Sequence, residues 1–315
     1  MRFEYNKDSV NKALLWKDLS YSEEGTLADG RALLDQRENP YLTNTGEGGG
    51  EAFSIIATKA FDNGVNLYAG YTNMEMEDAS RVASAQADSA YNKQPHDLAG
   101  ENLRAAPSDF MVDDKLIIGL DYTTQIFGTN DTRFSVLANR KSGRRYSLVY
   151  ETGDSEASIT DGNWEAYDLI YVPTGVNDPN VVFASDAVAS SVMNFLNSGC
   201  AAGFSGQIMT RNACKGDYAT RVDLRITQDF QVNDDQKIVI YFDIQNLINF
   251  LDDDKGWQTE IDTNSVSRAV SVDLDQTTDS GQLYITGVNE DAGLIYSTDY
   301  GQSQWQMNLG ISYKF

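Results

Sequence analysis

Few residues of this 315-residue chain have the types and spacing that catalysis or metal binding needs. Its one histidine, His96, lies in a polar segment, so the sequence offers no convincing Ser–His–Asp arrangement. Three consecutive acids, Asp252, Asp253 and Asp254, could bind a divalent ion through oxygen, but their spacing matches no EF-hand and also fits a solvated loop tip. We therefore predict no catalytic residue, no cofactor and no metal site, and we keep the three aspartates as the metal candidate to check.

The polar segments also contain aromatic residues and both cysteines. The candidates for stacking on a sugar or peptide ligand are Trp164, Tyr167, Tyr171 and Trp257. Packing within a folded loop is the commoner reason for such residues, so the sequence leaves the identity of any ligand open. Cys200 and Cys214 lie close together, which in an exported chain favours a local disulfide over two unrelated thiols.

Composition excludes one class of function and leaves another open. The formal net charge is −23, which argues against nucleic-acid binding because phosphates need clustered positive charge. No apolar run approaches the ~20 residues of a membrane-spanning helix. A strand of a membrane barrel is only half apolar, however, so low hydropathy does not exclude one. The start at Met1 has no signal-peptide pattern, and we expect the true N-terminus of an exported protein to lie upstream.

The elements that must position these residues are strands, because strict alternation recurs along the chain. In 219–230, Val222, Leu224 and Ile226 share one face, which is the pattern of a strand that is apolar on one side only. The opposite face carries a charged ladder of Arg221, Asp223, Arg225 and Asp229. The alternation and the turn signals predict eight strands, at 1–19 (irregular), 50–61, 64–75, 114–127, 132–150, 219–230, 236–249 and 303–315.

The connections between these strands alternate in length. Turns such as 62–64 and 128–131 are short, whereas the polar segments 20–49, 76–113, 151–218 and 251–302 are long. Segment 151–218 has nine acidic residues against two basic ones, so the negative charge lies at one end of the molecule. Short turns on one side and long loops on the other are typical of an outer-membrane barrel. Extra short strand pairs are expected near 266–275, 282–287 and 292–297.

Several motifs, taken in order, resemble one family. The chain ends in an alternating strand that is similar to the assembly signal of outer-membrane proteins, through Trp305, Met307, Leu309, Ile311, Tyr313 and Phe315. Segment 243–249, DIQNLIN, resembles the penultimate-strand element of TonB-dependent receptors. Segment 168–173, DLIYVP, and segment 206–212, GQIMTRN, followed by RVDLR at 221–225, are similar to the Oar-like receptors. Ser205 departs from the Arg that is common there, and Cys200 and Cys214 flank this passage as paired cysteines do in that family.

This resemblance implies an all-β fold, a transmembrane antiparallel β-barrel of which the chain is the C-terminal part. Residues 1–315 would supply about eight of roughly 22 strands, with long extracellular loops. The implied partners are outer-membrane lipid, the barrel assembly machinery, an unidentified ligand and an energy-coupling TonB protein that acts through an N-terminal plug part absent here. The implied location is the outer membrane of a Gram-negative bacterium, with no enzymatic activity and no transport by this part alone. The alternatives are a secreted or surface-exposed adhesive β-protein and a secreted hydrolase.

Overall fold

The computed structural model describes residues 1–10, 13–19, 23–34, 39–81, 84–96, 104–153, 158–160, 167–260, 266–289, 292, 297–298 and 303–315. Strands make up 56% of the structure and helices 14%, which confirms the all-β class. The sheets are large and mainly antiparallel, as the alternation in the sequence predicts.

In the described residues the elements are short and long strands with four short α-helices and a 3-10 helix between them. The first half contains β1 Arg2–Val10, β2 Ala13–Asp18, β3 Glu23–Thr26, β4 Ala32–Leu34, β5 Pro40–Thr45, β6 Gly49–Ala60, β7 Val65–Asp78, α1 Ala87–Asn92, β8 Pro95–His96, β9 Ala106–Pro107, β10 Asp114–Phe127, β11 Asn130–Lys141 and β12 Arg145–Glu151. The second half contains β13 Tyr167–Asp168, β14 Tyr171–Val172, β15 Val181–Phe183, α2 Asp186–Leu196, a 3-10 helix Gly199–Phe204, β16 Gln207–Ile208, β17 Cys214–Lys215, β18 Ala219–Asn233, β19 Gln236–Gln245, α3 Leu247–Leu251, β20 Thr259–Glu260, β21 Val266–Val272, α4 Leu274–Ser280, β22 Leu283–Val288, β23 Ser297–Thr298 and β24 Gln306–Lys314.

Eight long strands form one antiparallel sheet, the main sheet, in the order β1-β6-β7-β10-β11-β18-β19-β24. Each of these eight strands pairs with the next of the eight along the chain. The short strand β9 also pairs with β7. Tight turns at 61–64, 128–129 and 234–235 lie at one end, where Gly64 and Gly128 adopt positive φ. All four long connections lie at the opposite end. The prediction of short turns on one side and long connections on the other is therefore confirmed.

Three of the predicted strands end earlier than expected. The strand predicted at 1–19 is wrong beyond Val10, since β2 leaves the main sheet and pairs with β5. The strand predicted at 132–150 divides at Ser142–Arg144, and β12 joins a different sheet. A Cβ atom at Gly143 would overlap the backbone of Gly216, so this crossing requires glycine. The strand predicted at 236–249 stops at Gln245, because Asn246 adopts a left-handed conformation (φ 53°) and α3 begins.

The long connections are not the extended polar loops that the sequence suggests. Their described parts, within 11–48, 79–113, 142–218 and 246–305, fold into a unit that we call the loop domain. Its centre is a five-stranded sheet, β15-β22-β21-β12-β17, covered by α2. The main hydrophobic core of the described residues lies here, with Val192, Leu196, Met209, Val270, Leu283 and Ile285 fully buried. The strand pair predicted near 266–275 and 282–287 is confirmed as β21 and β22, whereas most of 292–297 lies outside the described residues.

Candidate functional site

The main sheet has one face of exposed apolar side chains, which we call the apolar face. Along β10, Leu116, Ile118, Leu120 and Tyr122 are about 40% exposed, while the residues between them are less exposed. One row across the sheet runs through Leu67, Leu120, Val136, Leu224, Ile244 and Met307. On β24, Leu309 is 75% and Ile311 71% exposed. A soluble antiparallel sheet buries its apolar face against a core, and this sheet has the opposite arrangement.

Aromatic side chains border the apolar face at both ends. Tyr71 and Tyr218 lie at the end nearest the loop domain, and each donates a hydrogen bond to Asp114, over 2.6 and 3.0 Å. The residues at the turn end are Phe61, Phe127, Phe230, Tyr313 and Phe315. Eleven residues separate Leu116, which is level with Tyr71, from Phe127. That is about 36 Å along a strand at ~3.3 Å per residue, or about 25 Å of height at a tilt of roughly 45°.

The opposite, polar face carries the charged ladder that the sequence predicts. Arg221 donates to Asp223 over 2.8 Å, within one strand. Arg225 instead binds Asp243 of the neighbouring strand through two hydrogen bonds of 2.6 and 2.7 Å. Asp229 accepts from Lys237 over 2.7 Å.

Asp243 and Lys237 were missed as ladder partners, although antiparallel register places Asp243 directly opposite Arg225. A groove on this face is lined by Asp121, Ser135, Arg221, Asp223, Arg225 and Asp243. Each arginine there already has a carboxylate partner, so the ladder neutralises its own charge.

The motifs that suggest the Oar-like receptors meet in the loop domain. Tyr171 and Val172 of the first motif pair in antiparallel register with Ile208 and Gln207 of the second. The fully buried Asn212 donates to the carbonyl oxygen of Pro107 over 2.7 Å and to Asp109 over 2.6 Å. Arg211 forms an ion pair with Asp78. These residues attach the connection between β7 and β10 to the rest of the loop domain.

The two asparagines of the penultimate-strand motif hold the next connection in place. The buried side chain of Asn246 donates to the carbonyl oxygens of Gly256 (2.8 Å) and Ser303 (2.6 Å). Asn249 donates to the carbonyl oxygens of Asp253 (3.2 Å) and Lys255 (2.8 Å). These bonds fix backbone carbonyl groups of the turn after α3, so both asparagines have a structural role.

A buried charge cluster joins four segments of the loop domain. Asp168, which begins the first Oar-like motif, accepts hydrogen bonds from Ser158, Thr160 and the backbone N–H of Ile159 at 2.8–3.0 Å. His96 Nε2 lies 3.3 Å from its carboxylate. Burial opposes ionisation of Asp168, but the facing imidazole, the nearby guanidinium of Arg31 and the hydrogen bonds lower its pKa below the ordinary range.

His96 is therefore buried on β8 rather than exposed in a polar loop. Its ring contacts Thr160 Oγ1 at 3.1 Å and the carbonyl oxygen of Gln94 at 2.9 Å, while Ser158 donates to Asp168. In a catalytic triad the histidine bridges the serine and the aspartate. Here, among the described contacts, the serine hydroxyl bonds directly to the aspartate and the histidine contacts a threonine. The contacts between His96 and Asp168 link β8 to β13.

The remaining sequence candidates have diverse environments. Tyr167 and Tyr171 are buried in the loop domain, so their rings pack in its core instead of facing a ligand. Trp257 is 40% exposed, and Trp164 lies outside the described residues. The carboxylates of Asp252, Asp253 and Asp254 lie within 4.8 Å of one another, and Asp252 pairs with Lys255 over 2.7 Å.

The predicted disulfide between Cys200 and Cys214 is confirmed. Cys214 is fully buried in the core of the loop domain, and the bond fixes the 3-10 helix against β17. The residues of the predicted assembly signal are all exposed: Trp305, Met307, Leu309, Ile311, Tyr313 and Phe315.

Comparison of the chain with family models, with curated proteins and with solved structures finds no match. Among the described residues, every helix is too short or too polar to cross a membrane. The residues and the geometry described above are therefore what supports a function for this chain.

Proposed function

We propose that the chain is the C-terminal part of an outer-membrane β-barrel of the TonB-dependent receptor type, close to the Oar-like receptors, in a Gram-negative bacterium. The observation that supports it most is the exposed apolar face of the main sheet, bordered by aromatic residues at both ends. Lipid-facing strands of such barrels carry an apolar band ~25 Å tall between two aromatic girdles. In water the same surface would promote aggregation, because it is a large contiguous apolar patch.

The polar face would then line the lumen. Two ion pairs lie on this face, Arg225 with Asp243 and Lys237 with Asp229. With this face toward the lumen, their charged groups contact water and not lipid. The loop domain would lie at the outer surface, since long connections are extracellular in these barrels. An adhesive sandwich, by contrast, would cover the apolar face with a second sheet.

The two outer strands show what else the proposed barrel needs. Among the described residues, no strand pairs with the outer edge of β1 or of β24. In lipid an open edge leaves backbone N–H and C=O groups without partners, so the sheet must close. We infer that further strands complete the barrel. We also infer that the completed barrel, with its plug and a TonB protein, takes up or exports an unidentified ligand.

Membrane insertion tests the proposal with a matched pair of variants, made in the chain together with the strands that complete its barrel. Leu224 lies on the apolar face, and Leu137 lies on the polar face of the adjacent strand, opposite Asp223. Leu224→Arg should cost about 2–4 kcal/mol in lipid and reduce the folded, protease-resistant fraction in liposomes. Leu137→Arg should fold like the parent. Equal yields of the two variants, or a folded parent that stays in water without detergent, would contradict the proposal.

The receptor function is tested in the source bacterium. A strain that lacks this gene and a strain that lacks the energy-coupling TonB gene should share one transport defect. Both should fail to take up, or fail to export, the same solute. If deletion of the gene changes no solute that depends on TonB, the receptor proposal is wrong.

A further inference from the structure

Two cationic side chains lie against one tyrosine where the apolar face meets the loop domain, and a third cationic residue follows nearby in the chain. The guanidinium carbon of Arg140 lies 4.6 Å from the centroid of the Tyr218 ring, and Lys215 Nζ lies 5.5 Å from it. The backbone of Arg144 lies next to the segment that carries Lys215 and Tyr218, since its carbonyl oxygen accepts a hydrogen bond from the N–H of Gly216 over 2.9 Å. The close crossing at Gly143 and Gly216 brings these two segments together. We call Arg140, Arg144, Lys215 and Tyr218 the border cluster.

Two cations of the border cluster have no carboxylate partner among the described residues. Lys215 donates to Asp113 over 3.1 Å, but that carboxylate also accepts two hydrogen bonds from Arg145. Arg140 and Arg144 are exposed and form no ion pair within the part of the chain that the structure describes. In a chain of net charge −23, these two arginines therefore keep guanidinium donors available to an external anion.

Within the border cluster, Arg140 and Tyr218 lie on the same side of the sheet as the apolar face. Arg140 pairs in register with Leu116 and Thr220, one row beyond Ile118, Ala138 and Val222. Tyr218 and Tyr71 both donate to Asp114, at the edge of the apolar residues. In a membrane this row lies at the level of the lipid headgroups, where tyrosine is enriched.

We infer that the border cluster binds the phosphate of the phosphorylated glycolipid in the leaflet next to the loop domain. This inference rests on the proposed membrane function. Guanidinium groups form paired hydrogen bonds with phosphate oxygens, and Arg140 and Arg144 have donors free for them. The acyl chains of the same lipid would lie along Leu116 and Ile118 below. A soluble anion would gain nothing from that apolar neighbour, so we assign a lipid.

Lipid binding to the purified full chain in detergent tests the inference. Diphosphorylated lipid A is titrated against the parent and against the variant with Arg140→Gln and Arg144→Gln, and bound lipid is counted by native mass spectrometry. The double variant should bind on the order of tenfold more weakly, since each basic residue near a membrane surface contributes modestly. The matched control is Arg133→Gln, an exposed arginine on the opposite face of the same strand, which should bind like the parent.

Three outcomes overturn the inference. The double variant binds lipid A like the parent, or the control loses as much affinity, or inorganic phosphate displaces the lipid at millimolar concentration. The liposome assay with Leu224→Arg and Leu137→Arg is run on the same preparations. If that pair behaves as expected while lipid binding is unchanged, the glycolipid site alone is wrong. If the pair gives equal yields, the membrane proposal fails first.

Discussion

In the loop domain Val270, Leu283 and Ile285 are completely buried, whereas in the main sheet Leu309 and Ile311 are more than two thirds exposed. Both regions belong to one chain, and leucine and isoleucine occur in each. In the loop domain the core residues come from three distant connections and meet in a core that α2 covers. In the main sheet they alternate with polar residues and remain on one outer surface.

Under the proposed membrane location, this difference means that the two regions fit two solvents. A domain in water is stabilised by removing apolar side chains from it. A sheet in lipid needs no such core, since lipid solvates its apolar face, and it is held by its backbone ladder and by polar contacts on the other face. Changes that affect one region should therefore leave the other largely intact.

The largest expected difference comes from truncating one leucine side chain to alanine in each region. Leu283→Ala should destabilise the loop domain by about 2–5 kcal/mol, because it leaves a cavity in a packed core. Leu309→Ala, on the exposed apolar face, should cost far less in detergent. Urea titration of the folded chain, followed by hydrogen exchange, measures both. Equal losses at the two positions would show that the apolar face is also packed.

Removing the disulfide should affect only the loop domain. The bond closes a segment with a sequence separation of 14 residues, and loss of such a link costs about 3 kcal/mol. The double variant Cys200→Ser with Cys214→Ser should expose residues 199–218 to protease while the strands of the main sheet remain protected. Loss of protection throughout the sheet would contradict the separation of the two regions.

Acid should weaken the loop domain through Asp168. Its pKa is lowered in the folded state, so its contribution to stability is present above the ordinary aspartate pKa of about 3.9. That contribution is lost as pH falls from this value toward the lower folded pKa. Asp168→Asn should be less stable at neutral pH and should show a shallower loss of stability below pH 4. A parent whose loop domain keeps constant stability across that range would refute this role.

The smallest effect is expected on the polar face of the main sheet. Lys237 and Asp229 form a partly exposed pair over 2.7 Å, and exposed pairs contribute less than about 1 kcal/mol. Lys237→Gln should therefore shift the urea midpoint only slightly. A loss as large as that of Leu283→Ala would indicate that the ladder, and not the backbone pairing, holds the sheet together.

Much of the main sheet could be predicted from the sequence, because alternation reports directly on strands with two unlike faces. The strand predicted at 114–127 has the same bounds in the structure. Alternation does not report which sheet a strand joins, and this is why the crossing at Gly143 was missed although Ser142-Gly143 is a turn signal. Asn246 is a second case, since an asparagine inside a motif resembles a strand residue until its left-handed φ is seen.

The loop domain could not be predicted in the same way. Its core residues are dispersed among polar segments in which acids far outnumber basic residues, so the average composition conceals them. The burial of His96 depends on contacts with Asp168 and Thr160, which lie more than 60 residues away in sequence. The border cluster depends likewise on a crossing of two distant segments, although Arg140 and Tyr218 are each visible in the sequence.

The most direct test of the central claim is the environment of successive residues along β10. Single cysteines at positions 116 to 123 are spin-labelled in the full chain in liposomes, where Cys200 and Cys214 are already bonded to each other. We expect positions 116, 118, 120 and 122 to collide with dissolved oxygen, and positions 117, 119, 121 and 123 to collide with a water-soluble nickel chelate. Equal access of the chelate to both sets would contradict a lipid-facing apolar surface.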